Sequence, residues 1–188
     1  MQSRSARPTT SVRPAAATLC GLIALALLAV GCRGADDSAA PATAPDTPLL
    51  TPSSGQQGTL LGRATHYHPL SVRRETADWQ FAIEASPALD IAVQRFVFQP
   101  GGQSGWHTHP GPVFIQVVSG TLTMYQRDDP NCTPIVRTAG QVYLDEGNDV
   151  HLARNENPYH TAEAIVTYFA PPGAPLRSDA PGPETCPF

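Results

Sequence analysis

Residues 101–120 read "GGQSGWHTHPGPVFIQVVSG", and the fold is decided by how this stretch is understood. His107 and His109 stand one residue apart, directly before an apolar run that closes at Gly120. On a β-strand, residues i and i+2 project to the same face, so both imidazoles would point one way. Neutral imidazoles converging from one face are what a divalent metal requires. Alone, such a pair is equally compatible with two unliganded histidines. A third histidine changes the balance: His151 follows 42 residues later in "DEGNDVHLARNEN", a strand-like segment behind a glycine turn. Three histidines on adjacent antiparallel strands define three corners of a metal site and leave positions open for water or substrate.

The surrounding sequence supports an all-β setting. Short β-branched and aromatic runs alternate with turn clusters from Thr59 onward: "WQFAIEA" (79–85), "DIAVQRFVFQP" (90–100), "PVFIQVVSG", "TLTMYQR", "PIVRTAG", "QVYLDEG", "VHLARNE" and "EAIVTYFAPPG". In the second of these, Ile91, Val93 and Arg95 share a face. No stretch between Thr59 and Gly173 sustains a helical period, and 20 prolines and 15 glycines suit turns and short strands. About eight to ten strands in one domain predict a sandwich or barrel.

Charge narrows the partners. All 12 basic residues are arginines, the net charge is −4, and no basic cluster is present, which argues against nucleic acid. The N-terminus has the make-up of an export signal. Arg4, Arg7 and Arg13 precede an apolar stretch from Ala15 to Val30, which ends at "LLAVGC". This resembles a bacterial lipobox, so residues 1–31 are expected to be a lipoprotein signal peptide and Cys32 the lipidated residue. An uncleaved anchor or ordinary secretory signal is the alternative. Residues 32–58, rich in Ala, Pro, Thr and Ser, are expected to be a disordered tether, with the folded domain over 59–188. The predicted location is the bacterial cell envelope, on the periplasmic or extracellular face of a membrane. Cys20 falls in the leader, leaving Cys132 and Cys186 as an even pair in an oxidising compartment. A disulfide is expected between them.

The two histidine segments also carry a family resemblance. Gly101-x5-His107-x-His109-x3-Val113-x6-Gly120 resembles the first cupin motif, Gly-x5-His-x-His-x3/4-Glu-x6-Gly. Gly140 through "GNDVHLARN" resembles the second, with Gly147, His151 and Asn155 at family positions. The resemblance implies a small antiparallel β-barrel of jelly-roll type holding a divalent metal through His107, His109 and His151. Where cupins usually place a metal-binding glutamate, this chain has Val113. Three-histidine iron sites occur among cupin-like thiol and diketone dioxygenases, while three histidines hold zinc in water-activating enzymes. Ligand type alone does not choose among iron, zinc, manganese, nickel and copper. The resemblance therefore implies a metal-dependent oxygenase acting on a small organic molecule, or a non-catalytic binding or sensing protein using the same pocket. Some cupins pair through barrel edges, so a homodimer is compatible with the sequence.

Other residues are candidates to replace the lost carboxylate or to act as pocket groups. Gln116 lies three positions beyond Val113, so alternation turns it outward. Glu146 and Asp149 sit in the turn before His151, where acids are more often solvated. His66 and His68 form a second His-x-His outside both motifs, and His160 follows a turn; surface roles are expected for all three. Trp106 should point away from the ligand face, and Tyr143 is a packed aromatic or a hydroxyl behind the ligands. Arg95 and Arg154 would bind a substrate carboxylate only if they faced inward. Asn155 is expected to bond turn backbone.

Overall fold

A computed structural model describes residues 50–188. The leader, Cys20, Cys32 and the linker to residue 49 lie outside the described residues. Twelve strands and no helix are present among the described residues. In order, β1 is Ser54–His66, β2 Leu70–Glu75, β3 Gln80–Ala85, β4 Leu89–Gln103, β5 His107–Thr108 and β6 Val113–Ser119. They are followed by β7 Thr121–Gln126, β8 Ile135–Thr138, β9 Val142–Asp145, β10 His151–Arg154, β11 Ala162–Ala170 and β12 Ser178–Asp179. The main sheet runs β12-β5-β10-β4-β11-β6-β9, with β1 along β4 and the β7–β8 hairpin joined through β10. β2 and β3 form a separate two-stranded hairpin. The result is a nearly closed antiparallel barrel of the jelly-roll type that the sequence predicted.

Alternation along the strands builds the interior. On β6, Val113, Ile115 and Val117 are buried while Phe114, Gln116 and Val118 face out. β11, paired beside β6, inserts Ala164, Val166 and Tyr168, and β7 adds Leu122 and Met124. Full burial of each such aliphatic side chain contributes roughly 1.5–3 kcal/mol. A buried charge closes one end of the β1–β4 ladder. Asp90 accepts from Thr65 Oγ1 at 2.6 Å, from Gly173 N at 2.9 Å and from Arg63 Nε at 2.7 Å. The Thr65 hydroxyl, then the Gly173 amide, and then Arg63 hold its carboxyl at about 2.

Two expectations are corrected. The predicted tether to residue 58 is too long: Leu50 bridges to Pro181, and β1 begins at Ser54. Gln56, Gln57, Gly58 and Thr59 pair with β4 through backbone bonds, which need no apolar side chain and leave no hydrophobic signature. The predicted eight to ten strands are twelve, because β1, β2 and the two-residue β5 and β12 carry too little apolar alternation to stand out. Ile91, Val93 and Arg95 share the outer face of β4. Ile91 and Arg95 are exposed, whereas Ala92 and Phe98 are buried.

The structure joins Cys132 to Cys186, with Cα atoms 5.4 Å apart, tying the C-terminal tail to the loop after β7. Cys186 packs with Trp106, Tyr125 and Leu152 in a second apolar cluster, and Gly182 lies flush against the indole of Trp106. Trp106 therefore points away from the ligand face, as alternation requires, and anchors the segment that begins β5.

Candidate metal centre

His107 and His151 are direct cross-strand partners of β5 and β10, and His109 follows β5 by one residue. All three are buried, at 6%, 4% and 1% exposure. Ring centroids lie 4.8 Å apart for His107–His109, 4.5 Å for His107–His151 and 5.1 Å for His109–His151. One ligand atom from each falls within 4.8 Å of the others, the spacing of a metal-ligating triad.

Backbone acceptors orient two of the rings. His107 Nδ1 donates to Gly105 O at 2.9 Å, and His109 Nδ1 donates to Leu176 O at 2.6 Å. Each therefore presents Nε2 with its lone pair to the centre, the tautomer a metal needs. Neither ring nitrogen of His151 makes a hydrogen bond of normal geometry. Burial pushes all three imidazoles far down: His107 well below the ordinary range, with His151 adding to the effect; His109 to about 4; and His151 to about 3. The Leu176 carbonyl pulls the other way at His109, and the Asp149 backbone does so at His151. The rings are thus neutral at physiological pH, the form that ligates.

The triad sits at one wall of a cavity of about 550 Å³ inside the barrel. Phe96, Ile115, Leu122, Val166 and Tyr168 make its walls largely apolar, and the His109 ring lies 5.4 Å from that of Tyr168. Residues 94–168 match the family model described as a cupin domain.

Over these residues the chain is a cupin domain.

No curated protein matches this cupin's sequence. Among solved structures it is similar to a conserved protein with a double-stranded β-helix domain from Klebsiella pneumoniae. That pair shares 22% identity over 60% of this chain and 84% of the other, with a TM-score of 0.41. A cupin superfamily protein from Desulfitobacterium hafniense is 12% identical over 55% of this chain and 79% of the other, with a TM-score of 0.38. A cupin-like protein from Thermotoga maritima is 23% identical over 49% and 65%, with a TM-score of 0.42.

Within this cupin the donor set fits a divalent cation. Both ring nitrogens of His151 and the Oδ2 of Asp145 are buried without partners and lie together. Leaving such atoms unmet costs roughly 1–3 kcal/mol each, and a bound cation would satisfy one nitrogen of the His151 ring together with the carboxylate oxygen. His107, His109 and His151 would hold it.

The structure separates the other candidates. Val113 is buried in the apolar core and Gln116 faces solvent. Glu146, Asp149, His66, His68 and His160 are exposed and outside the triad. Arg95 is paired with Glu163 on the outer face, and Arg154 lies over the Phe188 ring at 4.4 Å. Neither is among the residues that line the cavity. Asn155 is fully buried, its Nδ2 directed at the carbonyls of Phe98, Gln99 and His160. Tyr143 is packed, with its hydroxyl accepting from Gln126 Nε2 and its ring 6.3 Å from that of His151.

Two residues escaped the sequence reading. Arg177 lines the cavity and lies within electrostatic reach of all three histidines, lowering each of them. It comes from the tail after β11, with no motif around it. Asp145 is 3% exposed, with Oδ2 at 3.2 Å from His151 Nδ1 and 3.8 Å from His109 Nε2. Burial pushes its carboxyl up to about 6, against the Gly147 amide that donates to Oδ1. Its signal is the alternation that puts it two residues after Tyr143 on the same strand face, and its place beside the triad depends on the β6–β9 register.

Proposed function

We propose that this cupin is a metal-dependent oxygenase acting on a small organic molecule. The observation that carries the reading is the buried, neutral histidine triad at the wall of a cavity of about 550 Å³ lined by apolar side chains and by Arg177. A divalent metal held by His107, His109 and His151 would supply Lewis acidity and a place for substrate to coordinate. The chain's own residues do the rest. Phe96, Ile115, Val166 and Tyr168 exclude water from around the bound molecule. Arg177, partly buried and held by Asp179 at 2.7 Å, favours a substrate bearing a carboxylate or another acidic oxygen. Its charge orients that group at the cavity wall beside the histidines.

The same proposal places the domain outside the cytoplasm, tethered to a membrane through a lipid on Cys32. The "LLAVGC" stretch and the Cys132–Cys186 disulfide support it, since disulfides persist in oxidising compartments. Globomycin-sensitive processing and membrane partition of wild type, lost in Cys32→Ala, would test the tether.

The catalytic reading is tested by oxygen uptake of metal-loaded protein over a panel of thiols, diketones, phenols and their carboxylated analogues. Uptake with an acid-bearing member, weakened through KM in Arg177→Gln, is the expected result. Tight ligand binding without turnover under every metal would instead make the protein a binding or sensing module.

A further inference from the structure

Val113 takes the place of the carboxylate that cupins usually contribute from the first motif, yet the site does not lack a carboxylate. β6 and β9 pair in register with Val113 opposite Asp145, so the acid stands directly across the ladder from the valine. On β9 the buried residues are Tyr143 and Asp145, which turns the Asp145 side chain inward beside Val113. Directly opposite residues in an antiparallel pair have Cβ atoms about 4.5–5.5 Å apart, close enough for one short side chain to replace a longer one.

Local structure fixes where this carboxylate points. Gly147, at φ 92°, backs onto Gly111, where an added Cβ would lie 2.7 Å from the Gly111 carbonyl carbon. That close approach lets Asn148 N donate to His109 O at 2.9 Å, docking the end of β9 against the first histidine motif. Gly147 N donates to Asp145 Oδ1 at 3.0 Å and spends that oxygen on the turn. Oδ2 is left buried, unpartnered and aimed at the histidines.

We propose that Asp145, not a first-motif glutamate, is the fourth protein ligand of the metal, bound through Oδ2. The proposal rests on the metal-site reading above and adds a ligand from the second motif's strand. Its distances suit the role. Donors bonded at about 2.0–2.2 Å to one metal stand roughly 3.0 Å apart at right angles, an arrangement that leaves further positions for substrate, and roughly 3.4 Å apart at tetrahedral angles. Asp145 Oδ2 lies 3.2 Å from His151 Nδ1 and 3.8 Å from His109 Nε2, close to that range. The set becomes three neutral imidazoles and one anion, restoring the negative charge that Val113 removes.

The competing role is an outer one, with Oδ2 accepting a proton from His151 and only orienting the ring. Asp145→Asn separates the two, because an amide oxygen still accepts that hydrogen bond but is a poor, neutral ligand. Affinity for Co(II) and Zn(II) is measured by chelator competition, and the visible spectrum of the Co(II) form is recorded. The expected result is more than about a hundredfold weaker binding with an altered Co(II) spectrum, beyond the roughly 10–100-fold loss typical of an outer partner. Binding within that range with an unchanged spectrum overturns the proposal and leaves a three-histidine site standing. Absence of metal binding by wild type overturns both readings together. If Asp145→Asn does not fold, Val113→Glu/Asp145→Ala, which returns the carboxylate to the first motif, decides instead. Affinity near wild type supports a ligating carboxylate at this point of the ladder, and loss of binding overturns it.

Discussion

Val113 and Asp145 face each other across the β6–β9 ladder, one fully apolar and the other a buried carboxylate within 3.2 Å of His151. A strand pair can hold a charge at a given point of the barrel wall from either side. What the site needs is an oxygen near the histidine nitrogens, and the antiparallel register offers two backbone positions from which to supply it. The valine then fills the core beside Ile115 and Val117, where a second carboxylate would be buried without a partner.

Metal should stabilise the fold through the triad. A ligand at 100 times its Kd adds about 2.7 kcal/mol to a protein that binds only when folded. Calorimetry with and without Zn(II) is expected to show a raised Tm in wild type, reversed by chelator. His107→Ala and His151→Ala should show no metal-dependent rise; a full rise in either would exclude that residue as a ligand.

Acid should destabilise the metal-free protein, beginning near neutrality. The three histidines titrate at 6.5 when unfolded but at about 4 for His109, about 3 for His151 and lower for His107 when folded. Their depressed values mean that the unfolded chain binds more protons below 6.5, so stability falls as pH drops towards 4. Asp145 acts the other way: raised from 3.8 to about 6, it makes the folded state take up one proton in that window. Three sites outweigh one, and the net dependence is on the order of two protons. Urea midpoints measured from pH 7.5 to 4.5 should fall steadily; a flat profile would contradict the buried, neutral triad.

The disulfide should carry a large share of the stability. It joins residues 54 apart in sequence, for which loop closure in the unfolded chain is worth about 4 kcal/mol. Reduction, or Cys132→Ala/Cys186→Ala, is expected to lower the urea midpoint accordingly. Thiol labelling of unreduced protein at both cysteines would show that the bridge does not form.

Asn155 should matter for folding and not for metal. Its buried amide meets the carbonyls of Phe98, Gln99 and His160, and Asn155→Ala strands them without a donor. A loss of about 2–4 kcal/mol is expected, on the scale of unsatisfied buried polar groups. Metal affinity of the folded variant should match wild type. A fall in affinity without a fall in stability would mean that Asn155 acts on His151.

The sequence by itself determined the all-β class, the histidines that meet, the cysteine pair and the missing first-motif glutamate. Each is readable from alternation, turn residues and spacing within a short segment, because a strand's facing repeats every two residues. Only the tertiary structure decided which face of β4 turns inward, that "SGQQGT" adds a strand, and that Arg177 reaches the cavity. It also decided that Asp145 stands across from Val113. Those facts depend on register between segments tens of residues apart, and a register is set by the whole sheet closing on its core. The valine in "WHTHPGPV" was legible as a loss, and its counterpart became visible only once β6 and β9 were paired.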